Sequence, residues 1–347
     1  MRHNTAMADD SEADILHPRE TNGLVGHGDA EQILLESYRS GRMPHAWLIG
    51  GPRGIGKATL AYRLARFVLA HPDPAAPDVQ QAKSLAVDPG NPVARRIANE
   101  AHSDLLALER TLNDKGKLRQ DIAVEDVRRS VSFFGSTAGE GGWRIAIVNA
   151  VDELNDFGAN SLLKILEEPP QRSLLLLVSH APGQILPTIR SRTRRLLLRP
   201  LAQSEVAQAA ATALGRPADA DILEAAAAAD GSVGRAISLL DGSTLALRQK
   251  VLAALDKLPN PDPRTLHALG DALAGVDSAS LAAFMDIVNG WLEARLEDGK
   301  APKRRLGRLA EIWDKVNATA SDADEYNLDR RPLVFSVFGL LAEAARG

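Results

Sequence analysis

The apolar positions of the first 200 residues form short continuous runs that alternate with segments of helical periodicity. The runs occupy residues 46–49, 105–108, 143–148, 174–178 and 196–198. Short apolar runs bounded by turn residues are typical of strands that are buried on both faces of a sheet. Strands that alternate with helices predict an α/β fold, in which a mostly parallel sheet carries helices on both faces.

The pattern changes after Pro200, where the strand-like runs stop. The remainder of the chain is helical in period, and it is interrupted by glycine and aspartate near residue 242. Four segments are therefore predicted. They are a polar, disordered lead-in at 1–20, an α/β domain at 21–200, and two all-α domains at 201–243 and 244–347.

One apolar stripe in the last helical region has two interpretations. Its residues recur at helical spacing, and they are Leu281, Phe284, Val288, Trp291 and Leu292. The stripe is either a surface for a partner helix or part of a domain core. Because such stripes usually face the core of their own domain, the pattern favours the core.

Composition narrows the class of protein. Apolar residues make up 45% of the chain and charged residues 25%, which is typical of a globular protein. The net charge of −4 disfavours a chain that binds nucleic acid over its whole surface. No apolar run approaches the ~20 residues of a membrane span, and the N-terminus lacks an apolar signal core, so we expect a cytoplasmic protein with no membrane partner.

Cysteine and proline add two constraints. The chain contains no cysteine, which excludes disulfides and thiolate metal sites. Five prolines lie between residues 71 and 92 among alanines and aspartates. This composition is interpreted as an insertion on the surface.

The candidate chemistry begins with a glycine-rich segment, Gly51-Pro52-Arg53-Gly54-Ile55-Gly56-Lys57-Ala58-Thr59. It follows an apolar strand and opens a helical pattern, which is the context of a P-loop. Gly51, Gly54 and Gly56 allow backbone N–H groups to cradle phosphate oxygens, and Lys57 is placed to reach the β and γ phosphates. The alternative is a glycine-rich turn without a ligand, which the full spacing and the flanking elements disfavour.

The metal position of this P-loop is altered. A Ser or Thr normally follows the lysine and binds Mg²⁺, but Ala58 stands there and the hydroxyl arrives one residue later, on Thr59. One residue along a helix is a rotation of about 100°. Thr59 is therefore not expected to point at the same metal.

A neighbouring strand end lacks the acids that an ATPase needs. In a P-loop ATPase, a carboxylate at the end of a neighbouring strand organises Mg²⁺. In this chain the strand at 145–148 is followed by Asn149 and Ala150, which have no carboxylate. Asp152 and Glu153 come later, either as a displaced acidic pair or, as we favour, as the start of the next helix, where acids suit the dipole.

Ala58, Asn149 and Ala150 together predict that the chain does not hydrolyse ATP well. The glycines and Lys57 are intact, so binding of ATP or ADP at a degenerate P-loop stays open. Further along the chain, five arginines lie between residues 190 and 199. By charge alone, this run indicates a solvated rim or a nucleic-acid patch.

Four segments, in this order, resemble the clamp-loader branch of the AAA+ ATPases. They are Pro44-His45-Ala46, the P-loop, the string Asn-Ser-Leu-Leu-Lys-Ile-Leu-Glu-Glu-Pro-Pro at 160–170, and Ser191-Arg192-Thr193. The string at 160–170 is the most specific, since a P-loop alone indicates only a superfamily. The resemblance covers residues 23–240, and the residues beyond match only in being helical.

The resemblance implies a RecA-like AAA+ domain, a small helical lid and a helical collar that joins a loader complex of bacterial DNA polymerase III. Within this branch the chain is most similar to a stator, whose own ATP site is defective and which lends an arginine finger to a neighbour. Carried over, Arg192 is that finger, although Thr193 stands where the family usually has Cys. Ser179 lies near the sensor-1 position. Arg235 resembles the sensor-2 arginine of the lid, with an ordinary surface residue as the alternative.

The resemblance also implies partners and cofactors. The partners are the gamma/tau ATPase subunits and the delta subunit and, through the complex, the sliding clamp and primer-template DNA. Many members carry a four-cysteine zinc module after the P-loop helix, but residues 71–101 contain no cysteine. We therefore predict no zinc and no required cofactor.

Three functions compete. The first, which we favour, is a non-hydrolysing stator that acts through Arg192 in DNA replication. The second is an active ATPase motor of the same branch, which the strand end without acids disfavours unless Asp152 or Glu153 reaches the metal. The third is a separate nucleic-acid-binding protein that uses residues 190–199, which the negative net charge disfavours.

Overall fold

The structure, a computed structural model, describes residues 17–112, 119, 121–135, 139, 142–240, 242–273, 278–296, 303–325 and 328–346. The chain forms two compact units that divide between Ile237 and Ser238. Each unit has its own hydrophobic core, in two layers in the first unit and in one cluster in the second. The finer subdivision at 200/201 and 243/244 stays a prediction.

Within the described residues, five parallel strands form one sheet in the first unit. They are β1 (Ala46–Gly50), β2 (Leu105–Glu109), β3 (Arg144–Asn149), β4 (Ser173–Ser179) and β5 (Arg194–Leu197). Their order across the sheet is β2-β3-β4-β1-β5. The carboxyl end of β1 therefore lies between the carboxyl ends of β4 and β5.

Helices connect the strands and then continue alone. Up to residue 239 they are α1 (Gly28–Arg39), α2 (Lys57–Ala70), α3 (Pro77–Gln81), α4 (Pro92–Ala98), α5 (Val124–Gly135), α6 (Asp156–Glu167), α7 (Pro187–Arg190), α8 (Gln203–Ala213), α9 (Ala220–Ala228) and α10 (Val233–Leu239). The later ones are α11 (Gly242–Leu255), α12 (Pro263–Leu273), α13 (Ser278–Leu296), α14 (Lys303–Glu325) and α15 (Arg330–Arg346). A short 3₁₀ turn, Val151–Glu153, precedes α6.

The central strands send alternate side chains into two buried layers. Trp47 of β1 packs in a core with apolar residues of α1 and α2, whereas Leu48 packs in a core with residues of α5 and α6. All seven residues of β4 are buried. The sheet is therefore covered on both faces, and the α/β class that the apolar runs predict is confirmed.

The interpretation of residues 71–92 as a surface insertion is wrong for its apolar members. Val79, Leu85 and Val87 lie in the hydrophobic core that contains Trp47. The Leu85 N–H donates to Glu31 Oε1 of α1 at 3.0 Å. Pro77 and Pro92 each begin a short helix, and the apolar side chains between the prolines gain free energy by leaving water.

The described end of the predicted lead-in is attached to α2. Residues 18–20 form a turn, and Arg66, which is 2% exposed, donates to Pro18 O at 3.1 Å and to Thr21 O at 2.6 Å. The disorder predicted for residues 1–16 lies outside the described residues and stays a prediction.

The regular elements that the structure describes in the second unit are all helices. The core of this unit contains four members of the predicted stripe on α13, and the fifth, Trp291, packs against that core. The interpretation of this stripe as a domain core is confirmed. Across the described part of the chain, no helix has both the length and the apolar character to cross a membrane.

Candidate functional site

The glycine-rich loop of residues 51–56 joins β1 to α2. Gly51, Gly54 and Gly56 have φ angles of +144°, +74° and +100°, a region that favours glycine. A Cβ atom at Gly51 would lie 2.5 Å from the backbone oxygen of Leu198. The loop therefore needs its glycines for both conformation and close packing.

Lys57 is the first residue of α2 and is 3% exposed. Its ammonium group donates to Gly51 O at 2.6 Å and to Pro52 O. Burial lowers the pKa of Lys57 to about 8, while the charge of Asp152 opposes the shift and that of Arg53 adds to it. The predicted phosphate-binding lysine is thus held inside its own loop, mostly protonated at neutral pH.

Ala58 and Thr59 follow in the first turn of α2, and both are half-buried. The methyl group of Ala58 offers no oxygen to a metal. The nucleotide-binding role of Thr59 stays a prediction.

The end of β3 carries neutral side chains. Asn149 is its last residue and lies in register with Glu109 of β2, and Ala150 is 1% exposed. The pKa of Glu109 is lowered, chiefly by a hydrogen bond from His17, with smaller contributions from Arg19 and from the Asn149 amide. Glu109, the acid in register with Asn149, therefore already interacts with His17, Arg19 and the Asn149 amide.

Asp152 and Glu153 do not begin the next helix, so that interpretation is wrong. They lie in the 3₁₀ turn, and α6 starts at Asp156. The Asp152 carboxylate accepts hydrogen bonds from Ser179 Oγ at 2.8 Å, from the His180 N–H at 2.6 Å and from the Ala181 N–H at 3.1 Å. Asp152 therefore fixes the end of β4 against the end of β3.

Glu153 lies between two arginines. Its carboxylate is 2.9 Å from Arg110 Nε and 3.8 Å from an Nη atom of Arg53. Burial raises the pKa of Glu153, and the charges of Arg110 and Arg53 oppose this shift. The carboxylate links the P-loop, through Arg53, to the residue that follows β2.

Neither Arg110 nor His180 belongs to a motif that is recognisable in the sequence. Each directly follows a strand, β2 or β4, and the carboxyl ends of parallel strands converge at one edge of the sheet. A survey of the polar residue after every apolar run would have found both. Ser179, in contrast, is fully buried and donates its hydroxyl to Asp152, so its predicted sensor role stays a prediction.

The segment around Arg235 contacts the P-loop directly. The Gly234 N–H donates to Gly54 O at 3.0 Å, and a Cβ atom at Gly54 would lie 2.4 Å from Ser232 Oγ. The Arg235 guanidinium donates to Asp230 at 2.6 Å. The structure thus brings the start of α10 to the nucleotide loop, with Arg235 paired to an acid of its own segment.

Arg192 follows α7 on the surface, with its side chain 36% exposed. The guanidinium lies 2.9 Å from Glu167 Oε1, at the end of α6, and donates to Thr188 O at 3.0 Å. These contacts hold the arginine beside the string at 160–170. Its role towards another subunit stays a prediction.

The sheet order, the loop between β1 and α2 and the helical C-terminal part define an AAA+ type of α/β protein followed by all-α regions, as predicted. The family described as "DNA polymerase III, delta subunit" matches residues 26–202, which is just over half of the chain. The chain belongs to this family.

Individual relatives agree with this family. The chain is 36% identical to the DNA polymerase III subunit delta' of Pseudomonas aeruginosa, over 46% of this chain and 45% of that protein. The alignment thus spans less than half of that relative. The Escherichia coli delta' subunit is 29% identical, over 80% of this chain and 84% of that protein.

The comparisons with known proteins also gave the following two matches. The gamma/tau subunit of Mycobacterium tuberculosis is 27% identical, over 88% of this chain and 52% of that protein. The RuvB Holliday junction branch migration motor of Thermotoga maritima has a TM-score of 0.44 and 17% identity, over 92% of this chain and 91% of that one.

Proposed function

We propose that this chain is a delta-prime-type stator of the DNA polymerase III clamp loader, which donates Arg192 to the ATP site of a neighbouring ATPase subunit during DNA replication. The observation that carries the proposal is the end of β3, where Asn149 and the buried Ala150 stand in place of acids that would organise Mg²⁺. The chain's own ATPase activity is expected to be absent.

The surroundings of Arg192 support its role as a finger. A guanidinium is always protonated, and its planar donors match the oxygens of a phosphoryl group. Its ion pair with Glu167 is exposed, and exposed pairs contribute only about 0–1 kcal/mol. A phosphate offered by a neighbour can therefore replace Glu167 at little cost.

The proposed partners are those that the clamp-loader resemblance implies. They are the gamma/tau ATPase subunits and the delta subunit, with the sliding clamp and primer-template DNA reached through the complex. ATP hydrolysis then belongs to the assembled loader, in which this chain completes a neighbour's site.

The first experiment measures ATP turnover and clamp loading, stimulated by clamp and DNA, in a loader reconstituted with Arg192→Ala. An arginine finger is worth about 10³–10⁵ in rate at the site it serves. We expect ATP hydrolysis at that site and clamp loading to be lost, while assembly of the complex is unchanged. Arg195→Ala, which removes an exposed arginine of β5, is the matched control and should load normally.

Normal clamp loading by the Arg192→Ala variant would refute the assignment of Arg192 as an arginine finger.

A second candidate function, an ATPase motor, is supported by the likeness to gamma/tau and by the intact Lys57. Lys57→Ala in the same assay separates the two. If the chain hydrolyses ATP alone and Lys57→Ala stops it, the motor is correct.

A further inference from the structure

The string at 160–170, the most specific of the sequence motifs, ends beside the proposed finger. Its first residues belong to the second half of α6, and Glu167 is the last residue of that helix. Glu167 Oε1 lies 2.9 Å from Arg192 Nη2. This contact joins a motif that has no assigned chemistry to the residue whose chemistry is proposed.

The ion pair distinguishes Arg192 from the other arginines between residues 190 and 199. Arg190 donates to a backbone oxygen at 3.1 Å, and the Arg194 guanidinium lies 5.0 Å from the centre of the Trp47 ring. Within the part of the chain that the structure describes, Arg192 is the member of this run that pairs with a carboxylate. The counter-ion is therefore specific to the proposed finger and is not a general feature of the basic surface.

Both terminal nitrogens of the Arg192 guanidinium are engaged within the chain. Nη2 contacts Glu167 Oε1, and Nη1 donates to Thr188 O at 3.0 Å. A bidentate contact with a phosphoryl group uses two parallel N–H donors of a guanidinium. Glu167 therefore occupies a donor that a neighbour's phosphate would use, and its carboxylate offers the same kind of anionic oxygen as that phosphate.

Glu167 contributes little to the stability of its own helix. It lies at the C-terminus of α6, where the helix dipole disfavours a negative charge, and its side chain is 51% exposed. An exposed ion pair changes an equilibrium constant by at most about fivefold. The contact is therefore weak enough to break when a phosphate arrives, and too weak to be a main support of the fold.

We propose that Glu167 is an internal counter-ion that occupies the Arg192 guanidinium until a phosphoryl group at a neighbouring ATP site displaces it. The inference rests on the proposed role of Arg192 and adds a control of that residue by its own chain. When no nucleotide is offered, the finger stays paired with Glu167. When a phosphate is offered, one anion replaces the other, and no covalent bond forms or breaks.

The test is ATP turnover by the reconstituted loader, with clamp and DNA, at ATP concentrations below KM, where the rate reports kcat/KM. Glu167→Gln keeps the size of the side chain and removes the charge that competes for Arg192. We expect the part of the turnover that Arg192→Ala abolishes to rise about two- to fivefold in this variant. The rise should shrink as the salt concentration increases, because salt already weakens an exposed pair in the wild type.

Two controls separate this effect from a general change of charge or structure. Glu168→Gln removes the same charge from the next residue, which is also exposed and forms no ion pair among the described residues, and it should match wild type. Glu167→Gln combined with Arg192→Ala should match Arg192→Ala alone, which a purely structural role of Glu167 would not produce. Melting curves of the free chain check that Glu167→Gln is folded.

The failure of this inference and the failure of the finger give different results. If Arg192→Ala is defective and Glu167→Gln turns over ATP at the wild-type rate or more slowly, the counter-ion is overturned and the finger stands. If Arg192→Ala turns over ATP normally, the finger is overturned, and the counter-ion with it.

Discussion

A single buried ion pair joins three segments of the first unit. Glu31 Oε1 of α1 accepts hydrogen bonds from Arg63 of α2 at 2.7 and 3.0 Å and from the Leu85 N–H at 3.0 Å. Both side chains are about nine-tenths buried. Removing one partner of such a pair leaves an uncompensated charge in the core, which costs more than the pair itself contributes.

Glu31→Ala should therefore lower the free energy of unfolding by about 3–5 kcal/mol. The comparison variant is Glu36→Ala, which changes an exposed glutamate of the same helix and should stay within about 0.5 kcal/mol. Urea denaturation measures both. A double variant, Glu31→Leu with Arg63→Met, should recover part of the loss, and no recovery would mean that the charge of Arg63 is not the cause.

At the scale of the element, three apolar residues of the proline-rich segment 71–92, Val79, Leu85 and Val87, are part of the core. Leu85 is 1% exposed, and its backbone is bound by Glu31, so the segment covers α1 and the sheet rather than projecting from them. The burial of Leu85 shows that a proline-rich segment can still place apolar side chains in the hydrophobic core.

Leu85→Ala should therefore behave as a core variant, with a loss of about 2–5 kcal/mol in the free energy of unfolding. Lys83→Ala, an exposed change in the same segment, provides the matched control and should cost less than about 0.5 kcal/mol. Equal, small losses for both variants in urea denaturation would restore the interpretation of the segment as a surface insertion.

At the scale of the whole molecule, the two units have separate cores. In the second unit Phe284 is fully buried and lies 6.4 Å from the Phe338 ring, measured between centroids. Because each unit has a core of its own, local opening in one unit is expected to leave the amides of the other protected.

Phe284→Ala should accelerate amide hydrogen exchange in the described residues of 242–346, because the variant loses about 3–5 kcal/mol of core packing. The amides of β1–β5 should keep their protection. Phe335→Ala, at a ring 37% exposed, is the control and should change exchange only locally. A comparable acceleration in the sheet would show that the units unfold together.

The sequence by itself determined the fold class, the P-loop and the core stripe of α13. These features are local or periodic, since a glycine-rich turn between a strand and a helix, or an apolar stripe at helical spacing, is complete within about 20 residues. The absence of acids after β3 could also be predicted from the sequence, because it depends only on which residues follow one strand. The family resemblance added Arg192, whose surface position has no signal of its own.

Only the tertiary structure decided which distant residues meet. Glu31 and Arg63 are 32 positions apart, and Ser179 and Asp152 are 27 apart. Arg110 is linked to Arg53 of the P-loop through Glu153, and His180 follows the residue in register with Gly50, because the order β2-β3-β4-β1-β5 brings these strand ends to one edge. Pairing across a sheet depends on the register of strands that are remote in sequence, and no single segment contains that information.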